Sequence, residues 1–316
     1  MRAIILDRAA SPILRVRDVP DPTPGPHEAL VRINAAALNF GEVSHAFGTQ
    51  GNHLRQIPDG TVMGNDAAGV VIEAAADGSG PAAGATVVTL GIGGAWAELR
   101  AVSTDFLAEA PAGTDFGVLS TLPVAGLSAL HGLARLGPIL GKRVLVTGAS
   151  GGVGTFALQL ARLAGAEVVA STSNPDAHGD TLRRLGASEI VATPAEVTRP
   201  VHGVLDQVGG GQLVDAFRRL APHGTLVAIG HSSGQGETFD FGDLFGDEGR
   251  HDRAIVTFFL GDLRGLGPDL RWLAARVAAG ELDPQIGWRG DWSRAEEAYT
   301  ALLNRRITGK AVLDIN

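Results

Sequence analysis

Residues 144–154 read VLVTGASGGVG, an apolar run that ends in a glycine cluster and passes straight into the helical pattern VGTFALQLARLAG. In that pattern Val153, Phe156, Ala157, Leu160 and Ala164 fall at i, i+3, i+4, i+7 and i+11, one face of a helix. A strand that turns through glycines into a helix is a phosphate-binding arrangement. Gly151 lets the backbone approach a pyrophosphate, and Gly154 lets the helix pack against the strand. The N–H groups of Gly152, Val153 and Gly154 would face the phosphates from the positive end of the helix dipole. The order of elements, more than the glycines themselves, makes the motif credible.

Outward from this stretch, EVVAS, GVLDQV, TLVAIG and AIVTFFL are continuous apolar runs, as expected for parallel strands buried on both faces. Helical patterns such as GQLVDAFRRLAPHG separate them, with Pro222 and Gly224 as stop signals. The alternation predicts a doubly wound parallel sheet over residues 117–261. Before Phe116 the texture differs: short runs (RAIIL, ALVRINAAALN, AAGVVIEA, ATVVTL, AELRAV) are broken by Gly and Pro. That spacing predicts a compact β-rich domain or partial barrel. A helix, LRWLAARVAAGEL, and a last strand, KAVLDI, follow residue 261. The expected division is 1–116 with 262–316, and 117–261.

Composition narrows the function classes. Of 316 residues, 45% are hydrophobic and 19% charged, as in a soluble globular protein of two domains. The net charge of −8 comes without a basic cluster, so no nucleic-acid or anionic-membrane partner is expected. No apolar run is long enough to span a membrane, and the opening MRAIILDRAASPIL interrupts its apolar stretch with an acid. A cytoplasmic location is the expectation. Only Lys142 and Lys310 are lysines, and there are no cysteines. Disulfides, catalytic thiols and thiolate-based zinc sites are therefore excluded. His45, His53, Glu42 and Asp66 have no spacing that matches a ligand pattern, and no metal is expected.

Two dehydrogenase signatures compete for the glycines. TGASGGVG fits the short-chain pattern T-G-x-x-x-G-x-G, but that class resembles a single Rossmann domain with a Tyr and, four residues on, a Lys. Here the motif starts only at Thr147, and the sole tyrosine, Tyr299, is followed four residues later by Leu303. In the alternative frame, ASGGVG places Ala149 at the first glycine of G-x-G-x-x-G. That form resembles the zinc-independent medium-chain dehydrogenases, the quinone oxidoreductases and enoyl reductases. Asn39–Glu42 resembles their N-x-x-D segment and GNDAAGVV (Gly64–Val71) their G-x-D/E-x-A-G-x-V element. LPVAGLSAL resembles the entry to their nucleotide domain, and ITGKAVLDI their closing strand.

The resemblance implies an α/β fold with a GroES-like β-rich catalytic domain and a Rossmann domain. It also implies cofactor contacts from Ser150, Gly151, Gly152, Val153 and Gly154. The second strand ends in Ser171, Thr172, Ser173 and Asn174, with no acid to hold a ribose 2′-hydroxyl; hydroxyls and amides there favour the 2′-phosphate of NADPH. His178, Arg183 and Arg184 lie nearby, as does the acid Asp176. Further contacts are implied for Gln207 and Val208, for Ile229, Gly230, His231 and Ser232, and for Thr257, Phe258 and Phe259. Packing is an equal alternative for the two phenylalanines. Asn39 is implied beside the nicotinamide ribose. His45 is a candidate proton donor, with a structural histidine or a water-supplied proton as the alternative.

No tyrosine follows the Asn39 segment; Ser44, His45, Thr49 and Gln50 occupy it. His53 and Arg55 fall near the expected cleft mouth. Trp288 and Trp292 either line its far side or pack under the last helices. Without a metal, the expected reaction is hydride transfer to an apolar enone or quinone. An enoyl-thioester reductase and a nucleotide-binding protein with little catalysis are the alternatives. The resemblance also implies a homodimer paired through RAIVTFFL.

Overall fold

The structure is a computed structural model that describes residues 1–47, 57–244 and 251–316. Packing divides the chain into two units, Met1–Leu127 with Asp262–Asn316, and Ser128–Gly261.

The first unit opens with β1 (Arg2–Leu6), β2 (Leu14–Asp18), β3 (Glu28–Leu38), the helix α1 (Phe40–Ala46), β4 (Asp66–Glu73), β5 (Thr86–Leu90), β6 (Leu99–Ser103) and β7 (Leu107–Glu109). The helix α2 (Phe116–Ser120) and a π turn at Leu122–Gly126 follow, and both pack on this sheet. That packing is why the unit runs to Leu127, beyond the change of texture at residue 116. α3 (Leu127–Ala134) leads into the second unit, which carries β8 (Arg143–Val146), α4 (Gly152–Leu163), β9 (Glu167–Ser171), α5 (Pro175–Leu185), β10 (Ala187–Val191), β11 (Val201–Asp206), α6 (Gly210–Arg218), β12 (Leu220–Ala228), α7 (Phe241–Leu244) and β13 (Ala254–Thr257). The first unit is completed by α8 (Gly267–Ala278), β14 (Ile286–Asp291), α9 (Ala295–Leu303) and β15 (Lys310–Asp314).

In the first unit the main sheet has the order β14-β15-β3-β4-β5-β7, with β6 on β3 and a separate β1–β2 ladder. Its register positions the site. Leu38 at the end of β3 faces Ala311 of β15, and Ala37 faces Asp66 at the start of β4. Three strand-end positions (Asn39, Asp66 and Lys310) therefore meet at one end of these neighbouring strands. Ala35, Ala36 and Ala37 are fully buried, so the strand stays close to its neighbours there. Trp96, Ile4, Leu6, Ile33 and Leu38 fill the core beneath it. Trp292 joins that core and half-buried Trp288 packs against it; packing is the role the structure gives both.

The second unit holds the sheet β10-β9-β8-β11-β12-β13, with every pair parallel. Strand order reverses between β8 and β11, the switch point at which open α/β sheets bind ligands beyond the strand C-termini. β8 is buried at all four positions, as its unbroken apolar run requires. α4 is buried on all sides from Gly154 to Ala161, instead of on one face alone, and Arg162, Leu163 and Ala164 lie exposed at its end. β13 departs from expectation. Among the described residues it is the edge strand, bonded to β12 alone, and Ala254, Ile255 and Thr257 are exposed. β10 lacks a continuous apolar run, so its sequence gives no strand signal. Among the described residues no helix is long and apolar enough to cross a membrane.

Candidate functional site

The glycine turn of the second unit has the form its sequence predicts. Gly148 leaves β8 at φ +58, a conformation that favours glycine. Gly151 N-caps α4 in extended backbone, and no side chain among the described residues caps the helix. The first-turn N–H groups of Gly152, Val153 and Gly154 have no carbonyl one turn earlier in the helix to bond. Gly154 must be glycine, because a Cβ there would lie 2.7 Å from both Cα and O of Ala149. The contact seats α4 on the turn and leaves its positive end open.

The ends of the neighbouring strands close around this turn. Ser150 Oγ lies 3.3 Å from Thr172 Oγ1, which lies 2.9 Å from His178 Nδ1. Ser171 Oγ is buried without a partner among the described residues, and Ser173 is exposed. Asn174 Oδ1 accepts from Ala177 N at 3.0 Å and caps α5, so this oxygen is committed. Gln207 Nε2 donates to the Thr147 carbonyl at 2.9 Å, and Val208 packs on Gly148. Gly230 lies over Gln207, and Ser232 N donates to the Gln207 carbonyl at 3.2 Å. His231 is held by Glu237 at 2.7 Å, its ring over Gly209. Ile229 packs against Gly132 on α3. Thr257 pairs with Ala228, Phe258 lies under Arg135 at 4.5 Å, and Phe259 is 66% exposed.

Two residues of this half were not legible in the sequence. Thr147 Oγ1 donates to Asp206 Oδ1 at 2.6 Å, and Gly209 N donates to Asp206 Oδ2 at 2.9 Å. Burial pushes the Asp206 carboxyl up, opposed by these bonds. The pair ties the β8 turn to the turn after β11.

In the first unit, Asn39 N-caps α1. Its Nδ2 donates to Asp66 Oδ2 at 2.9 Å, and its Oδ1 accepts from Lys310 Nζ at 2.7 Å. Glu42 Oε1 accepts from Asn39 N and Oε2 from Asn65 N, both at 2.9 Å. Burial and the Asp66 carboxylate push Glu42 up to about 8; burial raises Asp66 as well, against the pull of Lys310. Arg100 secures the next loop, with Nη1 on the Asn65 carbonyl (3.0 Å) and Thr89 Oγ1 (2.8 Å), and Nη2 on the Gly93 carbonyl (2.8 Å). Desolvation pulls this guanidinium down to about 10.

His45, in the last turn of α1, is half-buried, and its Nε2 has no partner among the described residues. Thr49, Gln50, His53 and Arg55 lie outside the described residues. Tyr299 is in the core against Phe47, ring centroids 5.0 Å apart, and burial pushes its phenol up to about 12. Lys310 had one signal in its residues, a lysine, one of two in the chain, that opens the strand KAVLD. In the sequence, Asp66 is the acid of the G-x-D/E-x-A-G-x-V element as well as a rejected metal ligand.

Residues 25–112 match the alcohol dehydrogenase GroES-like domain family, and residues 152–274 the zinc-binding dehydrogenase family. The chain is 34% identical over 303 residues to the erythronolide synthase of Saccharopolyspora erythraea, covering 90% of this chain and 8% of that protein. It spans between 5% and 14% of the length of the polyketide and related acid synthases it matches. A quinone oxidoreductase of Pseudomonas aeruginosa is 28% identical, with 95% of each chain covered. The quinone oxidoreductase from Coxiella burnetii shares the fold at a TM-score of 0.83, with 24% identity, 100% of this chain and 99% of that chain covered.

The second family's description raises zinc, and the residues do not fit it. There is no cysteine, both oxygens of Glu42 and of Asp66 already accept hydrogen bonds, and the described residues contain no cluster suited to a metal ion. A dinucleotide does fit: the uncapped turn at α4 and the close seat of Gly154 are a cradle for its pyrophosphate. With both domain families matched in order along one chain, and with the two sheets just described, the protein belongs to the medium-chain dehydrogenase/reductase superfamily, whose cofactor is a nicotinamide dinucleotide.

Proposed function

We propose that the protein is an NADPH-dependent, metal-free reductase that delivers hydride to an activated C=C bond or a quinone. The observation that carries this reading is the uncapped glycine turn into α4, with no acid on the adjoining end of β9. When bound, NADPH supplies a hydride for an electron-poor carbon or a quinone ring. The N–H groups of Gly152, Val153 and Gly154 hold the pyrophosphate. Ser150, Thr172 and His178, with Ser173 and the amide of Asn174 beside them, receive the 2′-phosphate. Gln207, Val208, Gly230, His231 and Ser232 shape the adjoining wall. Asn39 orients the nicotinamide end, and His45 Nε2 holds the proton that completes reduction. The P. aeruginosa relative supports a quinone as acceptor.

The test follows loss of cofactor absorbance with metal-stripped protein, offering NADPH and NADH separately with quinones, enones, enoyl thioesters and aldehydes. NADPH oxidation by a quinone or enone is expected. Turnover with enoyl thioesters alone would select the second reading, a pathway-specific enoyl-thioester reductase, which the synthase relatives favour. Tight NADPH binding with every acceptor inert would leave a nucleotide-binding protein without this activity.

Two further outcomes are expected. His178→Ala should weaken binding of adenosine 2′,5′-bisphosphate about tenfold, or about 1.4 kcal/mol, and leave 5′-AMP unaffected in calorimetry; equal loss for both would remove His178 from the phosphate site. The exposed edge β13, with Ile255 41% exposed and Phe259, just beyond the strand, 66% exposed, is an apolar strand edge of the kind that pairs with a second copy. Sedimentation at micromolar concentration should show a dimer, and a lone monomer would overturn this assembly.

A further inference from the structure

Asn39 is the residue of the first unit that the proposed reaction places nearest the cofactor, and both ends of its side-chain amide are already spoken for. Lys310, 2% exposed, points all three ammonium hydrogens at acceptors: the Leu38 carbonyl at 3.1 Å, Asn39 Oδ1 at 2.7 Å and Asp66 Oδ2 at 3.5 Å. Asp66, fully buried, takes Asn39 Nδ2 on one oxygen and Val124 N, from the Leu122–Gly126 turn, on the other at 3.0 Å. The network closes without a spare buried donor on the lysine. Its geometry comes from the sheet register, and glycines guard both approaches. Gly309 stands at φ +72 before Lys310, where a Cβ would lie 2.9 Å from the Gln285 carbonyl carbon. Gly64 stands at φ +96 before Asn65 and Asp66, where a Cβ would lie 2.6 Å from Trp96 Nε1.

We infer that Lys310 and Asp66 are positioning residues that lock the amide of Asn39 in a single orientation. An asparagine amide has nearly the same shape either way round, so packing alone does not choose between its two orientations. Charge does. Flipped, the amide would set NH2 against the ammonium and its oxygen against the carboxylate, two repulsive contacts in place of two charge-assisted bonds. Asn39 is only half-buried, so the locked amide keeps one Nδ2 hydrogen with a fixed direction. A buried ion pair is a poor device for stability alone, since apolar residues of similar volume often do as well. Specifying an orientation is something apolar residues cannot do. The inference rests on the proposed place of Asn39 beside the cofactor.

The experiment compares the wild type with Asp66→Asn, Lys310→Met and the double variant. Each single variant leaves a buried charge without its partner and is expected to lose thermal stability. The double variant removes both charges and is expected to regain a melting temperature close to that of the wild type. Its single-turnover hydride-transfer rate should nevertheless stay at least about tenfold down, with NADPH affinity nearly unchanged because the phosphate site is untouched. Recovery of the rate together with the melting temperature would show the pair to be structural only and overturn the proposal.

A second readout needs no turnover. The Asn39 side-chain amide signal, identified by its loss in Asn39→Asp, should exchange with solvent slowly in the wild type and faster in the double variant. Equal exchange in both would overturn the lock. A wild type that binds neither NADPH nor NADH would defeat the proposed reaction, leaving amide exchange to decide whether the lock exists.

Discussion

Gly154→Val is expected to raise the dissociation constant for NADPH by about 100-fold or more, equivalent to about 2.7 kcal/mol, in a protein that remains folded. A Cβ at this position would meet the backbone of Gly148 and Ala149, with Ala149 Cα and O at 2.7 Å. These are backbone atoms of the turn, so no side chain can swing aside; α4 must lift from β8 or the turn must deform. Either movement misdirects the first-turn N–H groups, whose value to an anion depends on their converging direction. α4 is buried from Gly154 to Ala161, so lifting it also opens the core, at a typical cost of about 1–3 kcal/mol. The control is Gly211→Ala in α6, where an added Cβ meets nothing within 4 Å; it should bind NADPH like the wild type. Titration calorimetry reads both. Wild-type affinity in Gly154→Val would mean that the α4 turn does not hold the dinucleotide.

The contrast between these two glycines shows what the sequence makes legible. VLVTGASGGVG announces its strand, turn and helix because each piece has its own local pattern: an unbroken apolar run, clustered glycines, then period 3.6. The parallel sheet follows from repeated runs of the same kind, and the α4 end of the candidate site with it. The cluster of the first unit has no such local pattern, although each of its residues falls in a segment that carries the family resemblance. Lys310 is separated from Asn39 and Asp66 by most of the chain, and the three meet only through the pairing of β3 with β4 and β15. No spacing rule connects residues 39, 66 and 310. Thr147 and Asp206 are hidden for the same reason, as two ordinary strand-end residues joined by the β8–β11 pairing. β13 misleads in another way. Burial on both faces and exposure at a sheet edge give the same apolar run, and only the sheet's outer limit separates them.

Thermal stability should be greatest near pH 5 and fall as pH rises toward 8, and Glu42 is the main reason. An unfolded glutamate titrates near 4.5, whereas burial and the neighbouring Asp66 carboxylate push Glu42 up to about 8 in the fold. Between these values the folded protein holds a proton that the unfolded chain has released. Stability is therefore fully present below about 4.5 and is lost as pH rises through about 8. Asp66, also raised by burial, acts with the same sign. One pK unit corresponds to about 1.4 kcal/mol, so the ceiling is about 5 kcal/mol. Glu42 is half-buried, and water at its edge brings the expected loss to a few kcal/mol, or roughly 5–10 °C in melting temperature. Below pH 4 the opposite sign takes over, because Asp77, held down to about 2 mainly by its bonds from Ser79, and Glu98, held low by Arg2, lose their partners on protonation.

Glu42→Gln separates this effect from general acid or alkaline weakening. The amide keeps one acceptor for the N–H groups of Asn39 and Asn65 and turns a donor toward the other, which costs about 1–3 kcal/mol. At pH 5 the variant should therefore melt below the wild type. It cannot titrate, and only Asp66 still adds a fall of this sign, so its melting temperature should drop less than that of the wild type up to pH 8 and narrow the gap there. Scanning calorimetry across pH 4–9 gives both curves. Parallel curves would show that Glu42 ionises in the folded protein at its ordinary pH, with the two backbone N–H bonds outweighing burial.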